Sequence, residues 1–466
     1  MNQNHSVDKI EGIHQVFYSA RLALKRHASG GNVLIAVTLL ALIVANLPGI
    51  NQLYFDFWDQ TVRLQVGDFN IFSHEGHPMS MLSFINDALM AIFFFTIGLE
   101  IKREILVGEL SSFKQALLPI LAAVGGMIFP VILFVLFASG SDYIGGAAIP
   151  MATDIAFSLG ILGMLGRRVP LSLKIFLTTL AVVDDIGGIV VIAIFYSAHI
   201  NIMLLFYAVL LLLFLVLGSA MRIQSKMFYL AIGGVIWFLF LNSGIHPTIA
   251  GVLVAFAVPA KPVFAPKKYI KSIRKAIKNF NAEEDDLLNR RSILNRDQMD
   301  WLKQVESASD KVISPLQDLE DSLHPVVNYL IIPLFAFANA GIFLLDMSPS
   351  MVIEGLSLAI IFSLVIGKLS GIFLFSWATV KLKLAPMPQH SNWKMLFSIS
   401  MLGGIGFTVS LFIANLSFGD GSELSMGLLK HAKIGIVIGS LIAGILGYLL
   451  LKHTLPHELN EEPAEE

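Results

Sequence analysis

Apolar residues run along this chain in blocks of about twenty, the length a helix needs to cross the hydrocarbon core of a bilayer. The blocks lie near residues 33–49, 82–104, 116–138, 144–166, 171–197, 203–220, 227–242, 246–259, 324–345, 352–379, 395–418 and 430–451. They predict an all-α polytopic membrane protein with twelve transmembrane helices, the seventh and eighth short enough to be partial spans. Basic residues check the count, because short cytoplasmic loops retain Lys and Arg. Alternate connections carry Arg21, Lys25 and Arg26; Lys102, Arg103 and Lys114; Arg167 and Arg168; Arg222 and Lys226; the 260–323 loop; Lys381, Lys383 and Lys394; and Lys452. The connections between them are acidic or neutral, so the alternation puts both termini in the cytoplasm. The expected divisions are a segment 1–31, spans 1–8 within 32–259, an enlarged cytoplasmic loop 260–323, spans 9–12 within 324–452, and an acidic tail 453–466.

Three stretches outside the blocks have patterns of their own. In "TVRLQVGDFNIF" (61–72) Val62, Leu64 and Val66 alternate with polar residues, Gly67-Asp68 makes a two-residue turn, and Phe69 and Ile71 resume the alternation. That predicts an external β-hairpin within about 60–73. A lone hairpin has open edges, so it either pairs with a second copy as a homodimer or rests on its own bundle. In the large loop, Ile270, Ile273, Ile277 and Phe280 recur at helical spacing opposite Lys267, Lys271, Arg274, Lys275 and Lys278. Such a helix suits an anionic lipid surface, although a solvated linker helix gives the same pattern and the following "AEEDD" opposes lipid. The tail "HELNEEPAEE" reads as disordered.

Composition removes whole classes of function. The chain is 55% hydrophobic and only 14% charged over 466 residues, which suits no ordinary water-soluble domain of that length. It has no cysteine, so disulfides and thiolate metal or redox sites are excluded. Its net charge of -2 names no partner. No cleavable signal pattern precedes the first span. Phosphate loops, H-E-x-x-H metal sites and nucleic-acid motifs are absent, so neither a resident cofactor nor a nucleic-acid partner is expected.

Polar residues at mid-span are therefore the informative ones. An aspartate at a helix centre costs about 2.5–3.5 kcal/mol on insertion scales, and such residues usually face a cavity. Asp184, beside Asp185, is the midpoint of the 171–197 block; Thr153 and Asp154 adjoin the midpoint of 144–166; Lys368 lies near the centre of 352–379. Three acids and one base thus share one depth. Any one of them could be a structural ion pair, but together they point to a working site.

Backbone breakers sit at the same depth. Gly145, Gly146 and Pro150 precede Thr153, and Gly403, Gly404 and Gly406 interrupt the eleventh block. Spans 3–5 and 10–12 each carry the interrupted segment in the middle and start on opposite sides, the signature of inverted repeats with broken helices. At such breaks the helix ends carry about half a unit of charge. Asp154 and Lys368 have signs suited to balancing those ends.

The strings "NDALMAIFFFTIGLEIKRE", "AIPMATDIAFSLG", "RVPLSLKIFLTTLAVVDDIGG", "SGIHPTIAGV", "LIIPLFAFANAGI", "IGKLSGI" and "GIGFTVSLFIA" together resemble the NhaA-type sodium/proton antiporters, in the family's order and over nearly the whole hydrophobic chain. The resemblance likewise implies inverted repeats crossing at mid-membrane. It implies exchange of cytoplasmic Na+ or Li+ for external H+ in a bacterial inner membrane. It makes Asp185 the principal cation ligand, with Asp184 and Thr153 adding oxygens. Lys368 would pair with Asp184 and, like Asp154, compensate charge at the crossing. Asp87, Glu100 and Glu104 match further acidic positions, and His246, Glu320 and His324 match positions linked to pH response. Two departures touch regulation: Asp321 stands where the family pattern has His, and the 265–312 loop is longer than usual.

The residues alone leave alternatives open. Asp184 and Asp185 could exchange together, or Asp184 could stay paired with Lys368 while Asp185 alone exchanges. If two protons replace one Na+, each cycle moves charge inward and the membrane potential contributes about 2.3 kcal/mol per charge per 100 mV. His246 suits pH sensing or helix capping, Glu100 and Glu104 suit a solvated face, and Asp87 suits a cap near the start of span two. Two rival functions are an intramembrane aspartyl protease built on Asp154 and Asp185, which lacks a G-x-G-D string, and a passive cation channel.

Overall fold

The structure is a computed structural model that describes residues 30–456 apart from 67, 68, 71, 75, 76, 198, 199, 263–265, 280–295, 311, 344–349, 354, 420 and 421. The expected N-terminal segment to residue 29, the Gly67-Asp68 turn, Ile71, Phe280, "AEEDD" and the "HELNEEPAEE" tail lie outside the described residues.

Helix α1 (Gly30–Asn46) turns through 108° into α2 (Asn51–Asp59). Gly49 sits at φ 84°, the left-handed conformation that this turn requires. The loop after α2 contains β1 (Gln65–Val66) paired antiparallel with β2 (Phe69–Asn70), Val66 opposite Phe69, and β3 (Ser73–His74) paired with β4 (His77–Pro78). Helix α3 (Met81–Val107) contains a π turn at Ile85–Leu89 and is followed by α4 (Phe113–Ala138). A 3-10 stretch, Ile144–Met151, then gives way to three non-helical residues, 152–154, before α5 (Ile155–Met164). Next come α6 (Leu171–Phe195), α7 (Ile202–Ala220), α8 (Lys226–Leu241), α9 (Thr248–Ala257), α10 (Pro266–Asn279) and α11 (Arg296–Asp310). The last five are α12 (Pro315–Asn339), α13 (Gly355–Lys381), α14 (Trp393–Leu402), α15 (Phe407–Phe418) and α16 (Glu423–Thr454). Helices α12 and α13 carry π turns at Val327–Ile331 and Ser363–Gly367.

Among the described residues, eight helical segments are long and apolar enough to cross a membrane, or ten if the bent pairs α1/α2 and α14/α15 each make one span; α8 and α9 are apolar but shorter. Side-chain exposure fits the same environment. Leu213, Phe214 and Leu217 of α7 are 54%, 51% and 60% exposed, a continuous apolar face that water would penalise and lipid accepts. The chain is a multi-pass, helical membrane protein.

The described residues divide into two compact units: those of 1–90, 104–198 and 326–466 belong to the first, and those of 91–103 and 199–325 to the second. In the first, α4 and α13 cross backbone to backbone. A Cβ on Gly371 would lie 2.1 Å from the Gly125 carbonyl oxygen, and one on Gly125 would lie 2.4 Å from that of Gly371, so only glycines allow the approach. That crossing lies one turn beyond Lys368. In the second unit, Lys102 donates to the carbonyls of Phe256, at 2.7 Å, and Val258, closing the C-terminal end of α9 with positive charge. There too Lys226 pairs with Asp318 at 2.7 Å, and α10 packs on α11.

Candidate functional site

The site begins where two interrupted spans of the first unit meet. Proline and glycines keep 144–154 out of the α conformation, and the glycines of 403–406 open a turn between α14 and α15, bending the pair by 44°. A Cβ at Gly404 would sit 2.4 Å from the Leu364 carbonyl oxygen, so the turn rests directly on the π turn that precedes Lys368. The freed backbone carbonyls find partners in one amide and two serine hydroxyls. Asp154 N donates to the Ile405 carbonyl at 2.6 Å, Ser158 Oγ to that of Leu402 at 3.1 Å, and Ser410 Oγ to that of Ile149 at 2.7 Å. Non-helical backbone is tolerable at membrane depth only with such partners.

Asp154 sits at the N-terminal ends of two half-helices. One oxygen accepts from Phe157 N at 2.9 Å, capping α5; the other accepts from Thr408 N at 3.0 Å and Thr408 Oγ1 at 2.6 Å, in the first turn of α15. Charge-assisted bonds of this kind contribute about 1.5–3 kcal/mol each, and the two helix ends add favourable partial charge.

Asp184 and Asp185 lie within uninterrupted α6, and Lys368 on α13. Their exposures are 1%, 4% and 0%, and Thr153 is at 0%, so water screens none of their charges. Lys368 Nζ forms an ion pair with Asp184 Oδ2 and donates to Thr153 Oγ1 at 3.0 Å. The single Thr153 hydroxyl hydrogen is within reach of Asp184 Oδ2 at 2.6 Å and of the Gly403 carbonyl at 2.9 Å. Asp185 is close enough to Lys368 for charge attraction. Four of the expected residues, Thr153, Asp184, Asp185 and Lys368, therefore converge, with Asp154 adjoining Thr153.

The sequence profile of the family described as Na+/H+ antiporter 1 matches residues 21–451. The chain belongs to this family of Na+/H+ antiporters. It is 51% identical to "Na(+)/H(+) antiporter NhaA" of Phocaeicola vulgatus over 449 residues, covering 96% of this chain and 98% of the relative. It is 52% identical to the protein of the same name from Bacteroides fragilis over 427 residues, covering 91% and 95%. With that from Porphyromonas gingivalis it shares 44% over 436 residues, covering 93% and 94%. Antiporters are transporters, so this chain is not an enzyme and the aspartyl-protease alternative falls away.

The antiporter's remaining candidates lie elsewhere. In the first unit, Glu104 folds its carboxylate over the Glu109 N–H at 3.0 Å. Asp87 is not the cap expected at the start of its span: Ser80 takes that place by accepting from Ser83 N, and Asp87 lies seven residues on, in the π turn. In the second unit, Glu320 is buried and pairs with Arg103 at 3.2 Å, His324 is exposed one turn further along α12, and Glu100 lies on α3. His246 Nδ1 lies 2.7 Å from Thr248 Oγ1 and accepts from Thr248 N at 3.4 Å, at the start of α9. Sequence reasoning missed Thr408, Ser158 and Ser410. Their signal was present: hydroxyls two to four residues beyond a helix break, where carbonyls or amides lack partners.

Proposed function

We propose that this Na+/H+ antiporter takes up Na+, or Li+, from the cytoplasm and releases it outside in exchange for protons by alternating access, with Asp185 as principal ligand and Asp184 and Thr153 adding oxygens. The observation that carries this reading is the buried charge balance. Two carboxylates face one ammonium, so the fully ionised cluster has a surplus of one negative charge, which one alkali cation or one proton neutralises. Na+ is a hard cation that takes oxygen ligands, and the cluster offers carboxylate and hydroxyl oxygen. The same surplus makes binding competitive, so a site holding Na+ releases its proton. Asp154 and Lys368 compensate the ends of the broken helices without binding the cation.

Two versions differ in what Asp184 does. Its ion pair with Lys368 and its bond from Thr153 favour the version in which Asp184 stays paired and Asp185 alone exchanges. In the other, Lys368 gives up its proton as Na+ arrives, two protons leave per Na+, and transport is electrogenic.

The surrounding assignments complete the proposal. The ten candidate spans together with α8 and α9 make twelve, arranged as inverted repeats with both termini in the cytoplasm of a bacterial inner membrane and with the 260–323 loop and 453–466 tail on the same side. The hairpin within about 60–73, which contains the β1–β2 pair, is external and joins two copies edge to edge. The basic face of α10 meets anionic lipid. Glu100, Glu104, His246, Glu320 and His324 set the pH response, and Asp87 serves the external side. The deciding experiment is Na+-evoked proton movement in proteoliposomes at several pH values. Native protein is expected to exchange and Asp185→Asn to be silent; exchange by Asp185→Asn refutes the ligand assignment.

A further inference from the structure

Three asparagines outside the acid cluster form a hydrogen-bonded chain within the first unit. Asn415 Nδ2 of α15 donates to Asn339 Oδ1 and to the Leu411 carbonyl, both at 2.8 Å. Asn339 Nδ2, at the end of α12, donates to Asn86 Oδ1 of α3 at 2.9 Å and to the Phe335 carbonyl at 3.0 Å. Each donating amide uses both hydrogens, and Asn339 is fully buried at 0% exposure. Simple helix packing needs no polar groups here, and every buried amide needs its partners.

The chain's position is informative. Asn86 is in the π turn near the start of α3, Asn339 is the last residue of α12, and Asn415 is in the last turn of α15. All three ends are external in the topology proposed above. A second tether gathers at the same end of α15: Ser417 Oγ donates to Tyr196 Oη at 3.0 Å, and Tyr196 donates to the Gly145 carbonyl at 2.9 Å. The opposite end of α15 holds Thr408 against Asp154. Thr408 and Asn415 are seven residues apart, about 10.5 Å along a helix. Whatever fixes Asn415 therefore fixes the depth of the half-helix at the crossing.

We infer that Asn339 is a positioning residue for exchange: the Asn86–Asn339–Asn415 clasp seats α15 in the state whose site is closed to the outside, and it parts when the site opens there. Its loss destabilises that state relative to the outward-open one. By population shift, Na+ then binds less well from the cytoplasm and no less well from outside, because the competent fraction falls on one side only. A purely structural role predicts no such asymmetry.

The experiment measures apparent KM for Na+ from each face, using inside-out and right-side-out vesicles containing the full chain as native protein, Asn339→Ala and Asn415→Leu. A rise of threefold or more from the cytoplasmic face, with no rise from the external face, is expected for both variants. Unchanged values, or equal rises on both faces, overturn the inference. If Asn339→Ala does not fold, Asn415→Leu and Asn86→Ala decide. The inference rests on the alternating-access reading, and the two fail differently: native protein without Na+-evoked proton movement sinks that reading, whereas symmetrical variants of an active native protein sink only the clasp.

Discussion

Thr408 donates twice to one oxygen of Asp154, through its backbone at 3.0 Å and its hydroxyl at 2.6 Å, from a helix 254 residues further along the chain. The carboxylate's other oxygen caps α5 through Phe157, so a single group fastens two half-helices. Thr408→Val keeps the side-chain shape and the backbone donor but removes the hydroxyl. It is expected to lower stability by about 1–3 kcal/mol, read as thermal unfolding in detergent, with exchange retained. Asp154→Asn keeps an acceptor but removes the charge that two positive helix ends balance. Its exchange rate is expected to fall well below that of Thr408→Val; equal rates would show that the charge at Asp154 is dispensable.

The Lys368–Asp184 pair makes a second expectation. Breaking a buried pair from one side leaves an uncompensated charge, at about 3–5 kcal/mol, whereas removing both charges is often neutral. Lys368→Met should therefore be strongly destabilised, and Asp184→Asn/Lys368→Met should recover much of that loss in a double-mutant cycle. The double variant also separates the two versions of the mechanism. Exchange that survives in it assigns the whole cycle to Asp185, and silence assigns Asp184 a direct part.

How far these groups could be read in advance follows from what each depends on. The depth of Asp184, Asp185, Asp154 and Lys368 is a matter of counting along apolar blocks, so the sequence exposes it. The breaks at 152–154 and 403–406 follow from Gly and Pro, whose backbone preferences are local. Partner choice is not local. Nothing around Thr408 says that its acceptor is Asp154, and nothing near Asn86 names Asn339. The π turns were likewise illegible, because "INDAL", "VNYLI" and "SLVIG" have ordinary helical composition and the extra residue is imposed by packing. Asp87 illustrates the same limit: its type suits a cap, but Ser80 stands where the helix starts.

Competition between H+ and Na+ has a calorimetric consequence. A ligand that must be deprotonated binds its cation with proton release, so affinity decreases as the pH is lowered. On the acid side of the site's titration, apparent KM for Na+ should rise about tenfold per pH unit for each proton displaced. Titrating Na+ in two buffers of different ionisation enthalpy counts the protons directly. One released proton supports exchange at Asp185 alone, and two support participation of the Asp184–Lys368 pair. Binding without proton release would contradict the shared site altogether.

His246 allows capping and pH response to be tested apart. Its Nδ1 accepts the Thr248 N–H at 3.4 Å and lies 2.7 Å from the Thr248 hydroxyl, so the neutral ring holds the start of α9. Protonation turns that acceptor into a donor and frees the Thr248 N–H, so acid acts directly on the cap. Asn supplies an oxygen acceptor without titrating in this range. If His246 sets the pH response, His246→Asn is expected to keep native thermal stability while exchange persists to lower pH than in the native protein. His246→Ala, lacking both functions, should lose about 1 kcal/mol of stability as well. Exchange rates against pH for the three proteins decide the matter, because an Asn variant with the native profile would leave the histidine with a capping role only.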